Sequence, residues 1–304
     1  MAINTLAAAS RYASELDKAL VQSAATGFLA DNVFRTKFVG AKTVLIPDID
    51  FVGLADYDRE TGYSKSGITV SQTSFTLSKD RGRQLQLDRE DMDETGVSNL
   101  AGKILGEYVR TKVVPEMDAY VISKLAGVAK TKSHTQTYSA ATVFKQLMTA
   151  QNNVCSRAGF TDELVAFVDP TLYFALMNSD EVSRHITVSD FRKGDADLKV
   201  KSLNGMAIIP VSAERMRGAY TFNAGTAASD GGFAPAAKAD FVRALVLPKK
   251  GASLVKKTET MRIFTPEQNL DADAYVFDYR LYYDVFVKKN GMDNIESIIE
   301  ASAT

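Results

Sequence analysis

The sequence predicts an α+β fold in which a long extended β-hairpin runs directly into a helix that spans a domain. Residues 42–49 are rich in β-branched side chains, residues 56–67 are polar and punctuated by glycine, and residues 68–77 alternate as a returning strand does. From residue 100 onward, apolar side chains recur at helical spacing for about 25 residues. Residues 274–287 carry aromatic side chains on both faces of a strand pattern, which predicts the middle of a sheet.

Both arms of the predicted hairpin contain an irregularity. Pro47 removes one backbone donor and therefore favours an edge strand. The alternation of the returning arm changes phase between Val70 and Phe75, which predicts a bulge or a strong twist. Because a two-stranded ribbon is at best marginally stable alone in water, we expect this one to lie on a neighbour.

Residues 1–40 precede the hairpin and show no sustained apolar face. We interpret them as an arm that packs on something else. The alternative is an ordinary N-terminal lead into the domain.

The long helix contains Pro115, which removes an intrahelical hydrogen bond and crowds the preceding turn. The apolar spacing resumes at once, and Glu116 and Asp118 suit a renewed helix start. We therefore expect one kinked helix rather than two unrelated helices.

A second lobe follows this helix. Residues 140–157 have an apolar helical stripe that includes Cys155, which we expect to be buried. The apolar run 164–168 indicates a covered strand, and Asp169 and Pro170 fit the first positions of another helix. Asn204 and Gly205 predict a tight hairpin turn, residues 224–239 a loop, and residues 241–248 and 260–265 further strands.

The composition bounds the function classes. The chain has 304 residues, of which 45% are hydrophobic, so it can bury a sizeable core. Its 36 basic and 37 acidic residues give no electrostatic reason to expect strong binding to duplex DNA or anionic membranes. No apolar run approaches the roughly 20 residues that cross a bilayer, and we expect synthesis in a cytosol. A single cysteine excludes an internal disulfide.

The sequence contains no common fingerprint of acyl transfer, nucleotide hydrolysis or dinucleotide binding, so we predict no catalytic, cofactor or metal residues. His134 and His185 have no recognisable partners. One acidic cluster could form a carboxylate-based enzyme site, although acids there would also stabilise the coming helix start. Its members are Asp88, Glu90, Asp91, Asp93 and Glu94.

Several short motifs resemble, in their order along the chain, the major capsid proteins of tailed bacteriophages with the HK97-like shell fold. In that family an extension loop returns into a long "spine" helix. The motifs are Asp80-Arg81-Gly82-Arg83, Asp91-Met92-Asp93, Pro115-Glu116-Met117-Asp118-Ala119-Tyr120, Val168-Asp169-Pro170 and Tyr279-Arg280-Leu281-Tyr282-Tyr283-Asp284.

The resemblance implies five segments. They are an N-terminal arm (1–40), an extension loop (41–96), a peripheral domain with the spine helix (97–158), an axial domain (159–241), and peripheral-domain strands with the C-terminus (242–304).

It also implies a structural, non-enzymatic role. The subunit would form the pentamers and hexamers of an icosahedral shell around phage double-stranded DNA. Its partners would be itself, portal and scaffolding proteins and non-specifically contacted DNA, with no membrane. Assembly would take place in the host bacterial cytoplasm and the protein would end in the virion capsid. The alternative within the fold is an encapsulin-like nanocompartment shell protein.

The resemblance places intersubunit contacts at the tip of the extension loop and at the end of the strand that returns from it. The predicted contact residues are Tyr57, Asp58, Arg59, Glu60, Tyr63, Lys65, Arg81 and Arg83. Some shells of this fold join subunits through a lysine–asparagine bond near the loop tip. Lys65 is suitably placed for such a bond, but no asparagine or catalytic acid is identified, so we do not predict cross-linking.

Overall fold

The described part of the protein combines four sheets with a long helix and two further α-helices, so the predicted α+β class is confirmed. The computed structural model describes residues 24–30, 37–39, 42–90, 100–129, 131–134, 140–158, 163–179, 186–193, 196–226, 231–287 and 293–301.

The strands of these residues are β1 (Lys37–Val39), β2 (Thr43–Asp50), β3 (Thr69–Thr76), β4 (Lys79–Asp88), β5 (Thr131–His134), β6 (Leu164–Val168), β7 (Ile186–Lys193), β8 (Ala196–Leu203), β9 (Met206–Pro210), β10 (Tyr220–Phe222), β11 (Phe233–Pro235), β12 (Phe241–Pro248), β13 (Ala252–Phe264), β14 (Ala274–Val287) and β15 (Glu296–Glu300). The α-helices are α1 (Leu100–Tyr108), α2 (Val114–Val128), α3 (Ala140–Ala158) and α4 (Pro170–Met177). Short 3₁₀ turns lie at Gly27–Ala30, Ala213–Arg215 and Pro266–Gln268.

The largest sheet has seven strands in the order β5-β15-β12-β6-β9-β8-β7. Every residue of β6 is buried, because helices cover both faces of this sheet. Ala166 and Val168 pack with the apolar stripes of α3 and α4, whereas Val165 and Phe167 join the main core with α2. The continuous apolar run of β6 is thus the pattern of a doubly covered strand.

A second sheet, in the order β13-β14-β4, packs against the other side of α2. Its central strand, β14, pairs with β13 from Ala252 to Phe264 and with β4 from Lys79 to Asp88. The prediction that residues 274–287 form a central strand is therefore confirmed. Phe277 and Tyr283 are among the largest fully buried side chains.

Residues 242–304, which the sequence predicts to be peripheral-domain strands and the C-terminus, contribute strands to two of the sheets, and the division into domains stays a prediction. β12 and β15 pair with each other, and β12 also pairs with β6, so both belong to the seven-stranded sheet. Only β13 and β14 join the sheet of β4. An apolar strand pattern shows that a segment is covered but does not identify the strand that it pairs with.

The long helix continues through Pro115. A π-helical segment, Val109–Val113, joins α1 to α2, and the backbone N–H of Val114 donates to the carbonyl of Val109. Pro115 then lies in the first turn of α2, where its missing N–H is least costly. The π segment adjusts the backbone just before the proline.

The extended hairpin consists of β2 and β3, with β1 along the other side of β2. β1 pairs only with residues 43–45, so Pro47 lies beyond its end on a locally open edge, and β2 is an edge strand for only part of its length. All eight residues of β2 pair in register with β3, so there is no bulge between Val70 and Phe75, and the strong twist given as the alternative stays a prediction. Residues 69–74 are exposed on both faces, and their alternation therefore does not report burial.

Three local predictions are confirmed. Asn204 and Gly205 have φ angles of 49° and 80° and turn β8 into β9. Asp169 caps α4, since its Oδ1 accepts from the backbone N–H of Leu172 at 2.8 Å. Cys155 is buried, and that burial raises the pKa of its thiol.

Candidate subunit interface

The tip of the extension hairpin is a self-contained turn. Asp58 and Gly62 exchange backbone hydrogen bonds, and Gly62 has a φ of 82°. The Asp58 carboxylate accepts from the backbone N–H groups of Thr61 and Glu60, at 3.0 and 2.6 Å, and these bonds lower the pKa of that carboxyl. The rings of Tyr57 and Tyr63 meet edge to face with centroids 4.9 Å apart. These contacts order the turn without any from the subunit core.

Most large apolar side chains exposed on the described surface belong to this hairpin. Apart from Phe174 and Leu270, they all lie on the hairpin or on β1. They are Phe38, Val39, Ile49, Phe51, Val52, Leu54, Tyr57, Tyr63, Ile68 and Val70. Isolated exposed apolar residues are normal on a soluble protein, but a concentration on one projecting element indicates an interaction surface.

The base of the hairpin is fixed to the subunit by a small apolar cluster. Val44, Ile46 and Leu77 pack against β13 and β14 through Val255, Tyr282 and Phe286. Complete burial of such an aliphatic side chain contributes about 1.5–3 kcal/mol. The hairpin is therefore anchored at residues 42–46 and 75–78 and projects beyond them.

A buried carboxylate strengthens the same base. Asp284 has no exposed surface and accepts from the backbone N–H and hydroxyl of Ser78 at 3.0 and 2.9 Å. The Tyr120 hydroxyl donates to it at 2.8 Å, and the Lys124 ammonium forms an ion pair with it. Burial is the main cause that raises the pKa of Tyr120, so the phenol stays a donor. Asp284 thus joins the hairpin, α2 and β14.

A second buried carboxylate, Asp118, joins the segment 24–30 to the same helix. It accepts from the backbone N–H of Ala25 and from both the N–H and the hydroxyl of Thr26, at 2.7–3.0 Å. The Arg215 guanidinium lies 3.2 Å away and balances the charge. Helix α2 consequently holds both the hairpin and the end of the N-terminal segment.

Arg81 lies near the start of β4 and makes four hydrogen bonds within its own chain. Its guanidinium pairs with both oxygens of Glu116, at 2.6 and 3.3 Å, and donates to the carbonyls of Asn223 and Gly232 at 2.7 and 3.2 Å. The neighbouring Arg83 faces Gly231. Both arginines line an open groove of about 1070 Å³ between β4, the long helix and residues 212–235.

The predicted contact residues therefore fall into two groups. Tyr57, Asp58, Arg59, Glu60, Tyr63 and Lys65 lie together, exposed, at the hairpin tip, whereas Arg81 and Arg83 lie at the start of β4 beside the groove. Contact with a neighbouring subunit stays a prediction for both groups. The sequence analysis does not include Phe51, Val52 and Leu54 among the predicted contact residues. Apolar residues in a stretch without helical or strand periodicity are nevertheless a signal of an intermolecular surface.

The alternative carboxylate site gains no support from the described residues. Asp88 and Glu90 are exposed, and Asp88 accepts from the backbone N–H of Glu90 at 2.9 Å in a local turn. Asp91, Asp93 and Glu94 lie outside the described residues, as do His185 and the side chain of His134. In the ranges that the structure describes, no group of three or more metal-ligating side chains comes together.

Among the helices described here, none is long and apolar enough to cross a membrane.

The fold resembles that of solved shell structures. The chain superposes on the capsid structure of the cyanophage P-SCSP1u with a TM-score of 0.59 and 13% identity, covering 88% of this chain and 86% of that one. The mature capsid of bacteriophage PhiM1 gives 0.54 and 14%, covering 87% and 83%. A virus-like particle from Pyrococcus furiosus gives 0.50 and 10%, covering 94% and 98%.

No family model and no curated protein sequence matches the chain. At these identities the structural likeness establishes the fold. The chain has the HK97-like fold of phage capsid proteins, as the sequence motifs predicted.

Proposed function

We propose that this protein is the major capsid subunit of a tailed bacteriophage, a structural protein that assembles into pentamers and hexamers of an icosahedral shell. The observation that carries the proposal is the concentration of exposed apolar side chains on a hairpin anchored only at its base. Such a hairpin gains stability when a second copy covers it. The fold shared with phage capsids supports the same function.

The domain division that we propose follows the sheets. The long helix with β4, β13 and β14 forms the peripheral domain, and the seven-stranded sheet with α3 and α4 forms the axial domain. The extension loop leaves this body and reaches a neighbouring subunit, whereas residues 24–30 of the predicted arm pack into the main core. In this arrangement Tyr57–Lys65 contact another subunit through the tip.

The same proposal includes the partners of the subunit and the place where it assembles. Portal and scaffolding proteins are the further partners, packaged double-stranded DNA is contacted non-specifically, and the subunit acts without catalysis. Assembly takes place in the host bacterial cytoplasm, and the protein ends in the virion capsid. The formal net charge of −1 fits a shell that encloses DNA without binding it tightly.

The second candidate is an encapsulin-like nanocompartment shell. The similarity to the virus-like particle from Pyrococcus furiosus is the observation that favours it. The two functions differ in what the particle contains. Nuclease-protected DNA in particles from the native source supports the capsid, and protein cargo without DNA supports the nanocompartment.

We expect the triple variant Phe51→Ser, Val52→Ser and Leu54→Ser to stay unassembled under conditions in which the unmodified protein forms large particles. All three side chains are exposed in the isolated subunit, so each change should alter its free energy of unfolding by only about 0.5 kcal/mol. Sedimentation velocity gives the assembly state, and circular dichroism gives the stability of the subunit.

The matched control keeps the apolar character with Phe51→Leu, Val52→Ile and Leu54→Met, and should assemble. Normal particles from the serine variant would contradict a role for these side chains in assembly.

A further inference from the structure

Arg81 occupies a junction between segments that are distant in sequence. Its partner Glu116 is 35 residues away, and the carbonyls of Asn223 and Gly232 are 142 and 151 residues away. Two of these partners lie between β10 and β11, next to the ends of those strands, and the third lies on α2. One guanidinium therefore holds the β10–β11 hairpin, the long helix and the first residues of β4 in a single arrangement.

A neighbouring cation reinforces the junction. The Lys79 ammonium lies 3.6 Å from the ring centroid of Phe222 in β10 and 4.9 Å from that of Tyr120 in α2. Phe222 also packs against Tyr120 and against Phe233 of β11. Burial is the main cause that lowers the pKa of Lys79, consistent with an ammonium enclosed by these rings.

The junction lies where the extension hairpin begins to project. β3 ends at Thr76, Ser78 binds Asp284, and β4 starts at Lys79. The first residues of β4 therefore set the direction in which the hairpin leaves the subunit. A movement of β10 and β11 would displace the carbonyl groups that accept from Arg81, and the displacement would act on the first residues of β4.

We propose that Arg81 is a positioning residue that couples the β10–β11 hairpin to the base of the extension hairpin. Any use of this coupling during shell assembly rests on the proposed function. The coupling itself is a property of the isolated subunit and can be measured there. Arginine suits the role because its planar fork reaches a carboxylate and two carbonyls at once, whereas the lysine ammonium is a point charge on a flexible stem.

The first test replaces Arg81 by lysine, which keeps the charge beside Glu116 and loses the fork. Hydrogen exchange is read at the backbone N–H of Asn223, which donates to Gly232, and at the N–H groups of Leu77 and Ser78. We expect exchange at both places to accelerate about 2- to 30-fold, the range of ordinary site-to-site coupling. Unchanged exchange at either place would overturn the proposal.

The matched control is Arg280→Lys. Arg280 also forms a two-bond pair with a carboxylate of β4, Asp80, at 2.6 and 2.8 Å, but this pair is exposed and does not reach β10 or β11. Its replacement should leave exchange at Asn223 unchanged. Equal acceleration in the control would show general loosening of the sheet and would overturn a specific role for Arg81.

The second test perturbs the junction from the side of the β10–β11 hairpin, because a true coupling is reciprocal. Gly232 has a φ of 77°, and an added methyl group would meet no neighbouring atom, so Gly232→Ala strains only the backbone that presents the carbonyl to Arg81. Exchange at Leu77 and Ser78 should again accelerate. Gly205→Ala is the control, since Gly205 has a φ of 80° and equal space but lies in the β8–β9 turn.

Assembly separates this inference from the proposed function. If the unmodified protein forms no shells although exchange is coupled, the proposed function fails and the coupling stands. If shells form but neither Arg81→Lys nor Gly232→Ala changes exchange at the distant site, the coupling fails and the proposed function stands. We expect unmodified shells of uniform size and a broader distribution of particle sizes from Arg81→Lys.

Discussion

Replacing residues 57–66 with an Asn-Gly turn is expected to leave a folded subunit that forms few or no complete shells. The tip holds itself together through Asp58, Gly62 and the Tyr57–Tyr63 pair, and its side chains are exposed. Shortening it therefore removes little apolar burial within the chain. It does remove the tip, which the proposed function places in contact with a second subunit.

Circular dichroism of the free subunit and electron microscopy of the assembly reaction give the two results. A full-length control with Tyr57→Phe and Tyr63→Phe keeps the ring contact and should form shells. Normal shells from the shortened protein would exclude an interlocking role for the tip. An unfolded subunit would show that the tip belongs to the core and that the proposed domain division is wrong.

Asp284→Ala is expected to lower the free energy of unfolding by about 3 kcal/mol, near the lower end of the range for breaking a buried ion pair, because Lys124 can still reach water. The change removes the shared acceptor of the Ser78 and Tyr120 donors, and of these two side chains the Tyr120 phenol is the buried one. Thermal unfolding should shift downward by roughly 6–10 °C.

Asp80→Ala is the matched control for this effect. Asp80 pairs in register with Tyr282, two residues from Asp284, but its ion pair with Arg280 is largely exposed. Exposed pairs contribute about 0–1 kcal/mol, so the control should unfold nearly as the unmodified protein does. Equal losses in the two variants would contradict the assignment of Asp284 as an anchor of the hairpin base.

The sequence predicts best those features that local chemistry determines. The limits of β12 and β14 agree with the apolar runs at 241–248 and 274–287, because buried strands leave continuous patterns. The turn at Asn204 and Gly205 follows from their tolerance of positive φ angles, and the cap at Asp169 from its position before Pro170.

Features that depend on distant partners could not be predicted in this way. Nothing in the run at 241–248 indicates that β12 pairs with β6 and β15, and the short strand β15 was not predicted. The phase change near Val70 indicates a bulge or a strong twist only where alternation reflects burial, and these residues are exposed in the subunit.

The candidate interface also combines a feature that local sequence predicts with one that depends on distant partners. Composition alone predicted a polar hairpin tip between residues 56 and 67, and the structure places those side chains in solvent. The bonds of Arg81 to Glu116 and Gly232 cross 35 and 151 residues and have no local signal. Arg81 belongs to a motif shared with the resembled family, but its partners within the chain are identified by the fold.

The central claim, that this chain is a shell-forming subunit, is tested most directly by electron microscopy of the concentrated, purified protein. We predict closed, isometric particles built from rings of five and six subunits, since repetition of the same hairpin contact closes a shell. A protein that remains a dispersed single subunit over a wide range of concentration and salt would contradict this claim.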